Sequence, residues 1–330
     1  MVARSHRTHS VLTRMQRRDF LTSLLAGAGA IAAGHAAAAQ SARRKTTHHP
    51  AAVVPSKLDR VSVSSWSFHN YFESTRDPGV DPPGERLALL DFPEMIAERY
   101  KVHNLEFVAP HFASLEPTYL KELKWNLVSA HSRLINIPVD IKEIDQAGGL
   151  SDSDRAVRDA AIEASREWID IAKLLGARSV RCDPGGLDPD HLALTIESYR
   201  QLAAYGRAKG IAVLIENHGE IGSQHPEALV EIFRSVGGPF VGALPDFGNF
   251  PDNETRGRGL PLLFQYARTI CHAKGIKLDA NGNETAFDFP QCVQVAKKSG
   301  YQGIYSVEAE GTGDAYQTVQ GVINELVRYL

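Results

Sequence analysis

Two hydrophobic rhythms alternate along most of the chain. Short β-branched or apolar runs recur, and between them lie longer stretches whose apolar residues return at helical spacing, which is the signature of βαβ units around a parallel sheet. The runs predict strands at RVSVSS (60–65), NLEFVA (104–109), RLINIPV (133–139), RSVRC (178–182), AVLIE (212–216), FVGALP (240–245), TICHAK (269–274) and GIYSVE (303–308). Helices are predicted in DFPEMIAERY, with Asp91 as N-cap and Pro93 in the first turn, then in EPTYLKELKWNLVSAH, SDSDRAVRDAAIEASREWIDIAKLLG and DPDHLALTIESYRQLAAYGRAKG. Four more follow in HPEALVEIFRSVGG, GLPLLFQYART, DFPQCVQVAKKSG and DAYQTVQGVINELVRYL. Gly176, Gly210 and Gly300 close three of these just ahead of the next strand, where glycine takes left-handed backbone at little cost. Eight strands and eight helices fit a (β/α)8 TIM barrel, a parallel eight-stranded barrel with outer helices, better than an open doubly wound sheet. One connection is out of scale. The turn-rich segment from Phe68 to Leu90, after the first strand, reads as a lid, a binding loop or a surface insertion.

The rhythm is missing from the first residues. In MQRRDFLTSLLAGAGAIAAGHAAAAQ, Arg17 and Arg18 precede an apolar run that ends in small residues, the layout of an export signal over residues 1–40. The RRDFL form resembles the twin-arginine signal, which implies export of a folded protein by the twin-arginine machinery, a periplasmic location and cleavage near residues 39–42. The run from Leu21 to Ala33 is short for a bilayer span, so an uncleaved anchor is the competing reading and no stable span is expected in the mature form. Met15, just ahead of the motif, is an alternative start to Met1. Residues 41–57 have no period and read as a linker, with His48 and His49 as solvated tail, and the barrel is expected over 58–330.

Composition narrows the classes. A hydrophobic content of 43% over 330 residues suffices for one large core. Removing the five arginines and one aspartate of residues 1–40 leaves 31 basic against 38 acidic residues, a formal charge of −7, which gives no electrostatic case for nucleic acid. Cys182, Cys271 and Cys292 are odd in number and widely spaced, so they read as small buried hydrophobes rather than a disulfide framework.

Barrel strands aim their C-terminal ends at one face, so residues there converge however distant in sequence. Glu216 ends the fifth predicted strand, Asp246 follows the sixth in LPDFGN, His272 lies in the seventh in CHAKG, and Glu308 ends the eighth in YSVEAEG. Alone, each has an ordinary explanation as a cap, an ion pair or a core histidine. In succession on neighbouring strands, two glutamates, an aspartate and a histidine make a hard ligand set for one divalent ion, Mn²⁺, Mg²⁺ or Co²⁺, with Zn²⁺ also compatible. Glu310 rivals Glu308, because period two aims both the same way. Glu106 and His111, at the second strand's end, read as orienting or substrate-binding groups, or for Glu106 as an ion pair across the barrel. Arg181 and Asp183, closing the fourth, can bind hydroxyls or an anion, or pair with each other. Trp66 and Phe68 can wall a sugar face or pack as core.

IENHG, DFGN, HAK and VEAEG, in this order and spacing, resemble the xylose isomerase-like barrel superfamily of sugar phosphate isomerases and epimerases, over Val61 to Leu330. The resemblance implies that Glu216 and Glu308 both bind metal and shuttle protons, that Asp246 and His272 complete the ligands, and that His218 and Lys274 contact substrate. Gly275 stands where the family's His-x-Lys-Asp pattern has aspartate, which puts that aspartate's function in doubt. The implied activity is metal-dependent isomerisation or epimerisation of a carbohydrate, by proton abstraction next to a carbonyl through a metal-stabilised enediolate. Competing readings are a lyase, dehydratase or β-eliminating enzyme on oxidised sugars or glycosides, and a carbohydrate-binding barrel without catalysis. A nuclease of the endonuclease IV kind is disfavoured, since its extra metal-binding histidine three positions after the strand-six aspartate is here Asn249. A homo-oligomer is compatible with the sequence.

Overall fold

The computed structural model describes residues 56–330 apart from 81–83, 146–147 and 311–312. The expected export signal, His48, His49 and nearly all of the expected linker lie outside these residues. Ser56 opens the fold. Its hydroxyl accepts from the Leu58 amide while Asp59 accepts from the Ser56 amide, a capping box on the short turn Lys57–Arg60.

The strands are β1 Val61–Ser64, β2 Asn104–Glu106, β3 Arg133–Pro138, β4 Ser179–Arg181, β5 Ala212–Glu216, β6 Val241–Leu244, β7 Ile270–Gly275 and β8 Ile304–Ala309. All pair in parallel, in the order β6-β5-β4-β3-β2-β1-β8-β7. The barrel closes between β6 and β7 through single bridges, Ala243 to Ala267 and Asp246 to His272, instead of a continuous ladder. At the upper bridge the His272 N–H donates to the Pro245 carbonyl at 2.9 Å and the Phe247 N–H to the His272 carbonyl at 3.2 Å. Gly242 accounts for the lower part of the seam. A Cβ there would sit 2.4 Å from Arg268 Cγ and 2.5 Å from the Tyr266 carbonyl, so the chain entering β7 lies directly on bare backbone.

All eight predicted helices are present, as Phe92–Tyr100, Pro117–Ser129, Arg155–Leu175, Ala193–Lys209, Pro226–Val236, Asn253–Phe264, Phe289–Lys298 and Ala315–Tyr329. Two short ones were not expected, Lys142–Asp145 after β3 and Gly219–Gln224 after β5. Asp91 does not cap: its backbone is already helical, with φ −92° and ψ −14°, and its carboxylate makes no capping bond. Asn253–Phe264 begins earlier than the apolar pattern indicated, because Asp252 caps it by accepting from the Thr255 amide at 2.7 Å. Cys182, Cys271 and Cys292 are buried and free, and none of the described helices is long and apolar enough to cross a membrane.

Strand parity decides what the barrel holds. Ile135, Ala212, Leu214, Leu244, Ile270 and Ile304 form an apolar cluster inside it. The step of two that buries Leu214 brings Glu216 to the same side, and the same step runs from Ile270 to His272 to Lys274 and from Ile304 to Ser306 to Glu308. The apolar floor and the polar mouth are thus one pattern read to its end. The long segment after β1 starts as core: Phe68 and Tyr71 both pack edge-on against Tyr316.

Candidate metal centre and its cavity

Glu216, Asp246, His272 and Glu308 each present a ligand-capable atom, and all four atoms lie within 4.8 Å of one another. They come from four consecutive staves and all are buried. His272 is the hub: its Nδ1 lies 2.9 Å from Glu216 Oε1, 3.3 Å from Glu308 Oε2 and 3.5 Å from Asp246 Oδ2. Its Nε2 donates to Glu106 Oε2 at 3.0 Å. Burial lowers the His272 pKa, but Glu308, Glu106 and Glu216 more than reverse this and hold it well above the ordinary histidine value.

Local sequence sets each donor. In DFGN, Asp246 Oδ1 accepts the Gly248 and Asn249 amides at 2.6 and 2.7 Å, which pins the carboxylate and leaves Oδ2 buried without a hydrogen-bond partner. Asn217 locks β5 to β6 by exchanging two hydrogen bonds with the Asp246 backbone. Asn249 donates to Glu216 Oε1 at 3.1 Å, and Arg181 Nε stands 3.1 Å from Glu216 Oε2, a charge contact without hydrogen-bond alignment. Gly248 leaves room for the Lys274 stem, since a Cβ there would sit 2.7 Å from Lys274 Cγ. Lys274 Nζ reaches Glu308 and Glu310 at 2.8 Å each and Asp246 at 3.8 Å. Burial raises the Glu308 pKa, and His272 and Lys274 outweigh it, so the carboxyl is held well below its usual range.

The residues present suit a hard divalent cation. Glu106, Asp183, Glu216, Asp246 and Glu308 are buried carboxylates set against only two buried cations, Arg181 and Lys274, beside His272. Asp246 Oδ2, buried without a hydrogen-bond partner, faces His272 Nδ1 at 3.5 Å and Lys274 Nζ at 3.8 Å. Three carboxylates and one imidazole are the donor set such an ion takes.

Above the cluster lies a cavity of about 220 Å³, lined among others by Trp66, Arg181, Glu216, His218, Lys274, Glu308 and Glu310. His218 is half exposed at its rim and contacts Asp183 Oδ2 at 3.3 Å. That hydrogen bond raises its pKa to about 9 against the opposing effect of burial, so the ring is charged at neutral pH. Trp66 donates its indole N–H to Glu310 Oε1 at 2.9 Å. Glu308, not Glu310, belongs to the four-residue set; Glu310 stays at the rim with Trp66 and Lys274.

Two predicted substrate-binding residues lie away from the cavity. Glu106 is fully buried deeper in the barrel, accepting from His272, from Asn136 at 2.8 Å and from Ser306 at 2.8 Å. It orients His272 and has no route to a substrate. His111 is stacked on Phe72 at 3.7 Å, with Nδ1 bonded to Ser65 Oγ at 2.9 Å and Nε2 to Thr75 Oγ1 at 2.8 Å, which uses both ring nitrogens. It braces the segment after β1. Sequence reasoning gave no role to Asn136, Ser306, Asn217 or Asp140; the last binds Arg181 Nη1 at 2.6 Å.

Residues 96–326 match the family described as Xylose isomerase-like TIM barrel. The chain belongs to that family. Solved structures share its fold at low identity. D-allulose 3-epimerase from Methylomonas sp. superposes with a TM-score of 0.63 at 14% identity, over 84% of this chain and 99% of that one. A xylose isomerase-like TIM barrel protein from Mycobacterium smegmatis in complex with magnesium gives 0.58 at 16%, over 84% and 100%. The IOLI protein with a bound zinc atom gives 0.62 at 14%, over 82% and 99%. No curated protein shows a significant match to the chain.

Proposed function

We propose that this member of the family is a metal-dependent sugar isomerase or epimerase that removes and returns a proton next to a carbonyl. The observation that carries the reading is the convergence of Glu216, Asp246, His272 and Glu308 within 4.8 Å, with Asp246 Oδ2 lacking a hydrogen bond and with Glu216 and Glu308 in the wall of a cavity. The kinship in fold to an allulose epimerase and to magnesium- and zinc-containing barrels supports it. Glu216, Asp246, His272 and Glu308 would hold one divalent ion, whose charge polarises a carbonyl and the hydroxyl beside it.

The chain's own groups do the rest. Glu216 and Glu308 rise from β5 and β8 with β6 and β7 between them, and both line the cavity. His272 and Lys274 hold Glu308 ionised, while Arg181 and Asn249 fix Glu216. Two such carboxylates serve either two faces of one carbon, which gives epimerisation, or two adjacent carbons, which gives isomerisation. His218 and Lys274 are the substrate's polar contacts and Trp66 the face on which a sugar ring stacks. The same proposal puts this activity in the periplasm, on the support of the twin-arginine form at Arg17 and Arg18.

The test is deuterium uptake from D₂O into the carbon next to the carbonyl of a panel of ketoses and aldoses. Glu216→Gln and Glu308→Gln are each expected to slow uptake by about 10²-fold or more. Wild-type rates in both variants would end the proposal.

A further inference from the structure

The cavity over the acidic cluster does not stop at Glu310. That residue also lines a neighbouring cavity of about 310 Å³, walled by Phe68, Asn70, Tyr71, Asp77 and Thr318. The first cavity, at about 220 Å³, is small beside the ~300–1,000 Å³ usual for small-molecule sites and takes little more than one sugar ring. A built divider stands between them. Trp66 and His69 stack with centroids 5.0 Å apart and 20° between planes, Trp66 in the wall of the first cavity and His69 in that of the second. Glu310 Oε1 ties the divider down, accepting from Trp66 Nε1 at 2.9 Å and from Lys274 Nζ at 2.8 Å.

The second cavity has an apolar side, Phe68 and Tyr71, and a polar side, Asn70, Asp77 and Thr318. A sugar ring has the same two aspects, a C–H face and hydroxyl edges. Through Thr318 and Gly313 it adjoins a third, roomier cavity of about 580 Å³ beside Asn281 and Asn324, so the row of cavities extends beyond two rings. Charge limits what enters. Among the described residues no lysine or arginine lines the second cavity. Each cation of the first already has carboxylates: Arg181 has Asp140 and Asp183, Lys274 has Glu308 and Glu310, and His218 has Asp183. A phosphate or carboxylate on the second unit would lose its hydration beside Asp77 and Glu310 and meet no lysine or arginine there.

We propose that the substrate is an uncharged reducing disaccharide, its reducing unit over Glu216 and Glu308 and its second unit between Phe68, Asn70 and Thr318. The proposal rests on the reading of the centre as a carbohydrate-transforming site. It is tested by calorimetric titration of the full chain, loaded with Mn²⁺, using cellobiose, maltose and maltulose against glucose, fructose and glucose 6-phosphate. At least one disaccharide is expected to bind about tenfold or more tighter than its component sugars. Glucose 6-phosphate is expected to bind more weakly than glucose. Thr318→Phe, which fills the second cavity, is expected to remove the disaccharide's advantage and leave monosaccharide binding unchanged, and that retained binding reports an intact fold. Monosaccharides binding as tightly as every disaccharide, or the phosphate binding tightest, overturns the proposal, and this wild-type comparison needs no variant. Monosaccharide binding with deuterium uptake but no disaccharide preference overturns only this proposal, whereas no sugar binding at all also removes the function it rests on.

Discussion

His272 and His111 show how one residue type is put to opposite uses. His272 is ringed by carboxylates that favour its charged form, with Glu106 fixing Nε2 so that Nδ1 faces Glu216, Asp246 and Glu308. A buried carboxylate behind a ligating imidazole sets its orientation and raises its basicity. His111 has no carboxylate neighbour to offset burial, which lowers its pKa to about 3, so it folds as the neutral ring. The unfolded chain titrates this group near 6.5. Below about pH 6.5 the unfolded chain takes up a proton that the folded one refuses until about pH 3, so the contribution of His111 is whole above that window and drains away as pH falls through it. His111→Gln keeps a polar side chain beside Ser65 and Thr75 without a titrating group. Denaturant unfolding at a series of pH values between about 7 and 4 is expected to show a flatter acid decline for this variant. A decline as steep as in the wild type would show that His111 does not drive it.

At the scale of elements, the close approaches of backbone to neighbouring helices are the sharpest constraints. Gly275 ends β7 against the helix Ala315–Tyr329, where a Cβ would come 2.4 Å from Val322 Cγ2. Gly275→Ala is expected to cost about 1–3 kcal/mol by overpacking, read as a lower denaturation midpoint. An unchanged midpoint would mean that the helix gives way freely. Strands and helices were legible because period two and period 3.6 are written in which residues are apolar. The early start of Asn253–Phe264 was not, because its first turns are polar and the decisive signal is one capping aspartate, Asp252. The donors at the ends of β5 to β8 were legible from parity. Of the readings open for Glu106, the orienting group paired across the barrel is the one found and the substrate-binding one is not: the β2–β3 register shifts between Leu105 and Glu106, and the carboxylate goes down to His272. His111 sits in the turn Ala109–His111, off the strand altogether.

Across the described residues, the candidate metal centre lies at the one seam of the barrel without a continuous ladder. Seven neighbouring strand pairs form ladders, whereas β6 and β7 meet only at bridges, the upper of which joins Asp246 to His272. An ion held by these two residues would tie the seam from inside and add positive charge to a group of buried carboxylates that face Arg181, Lys274 and His272. Binding that favours the folded state raises its stability in step with ion concentration. The proposed chemistry therefore turns on whether a divalent ion binds at Asp246, whose Oδ2 has no hydrogen-bond partner. The most direct measurement is the metal content of the purified protein, by elemental analysis before and after incubation with Mn²⁺, Mg²⁺, Co²⁺ or Zn²⁺, for the wild type and for Asp246→Asn. About one divalent ion per wild-type chain and its loss in Asp246→Asn is the result expected from one four-residue centre. A wild-type chain that holds no ion and gains none on incubation, or an Asp246→Asn chain that binds as the wild type does, would contradict it.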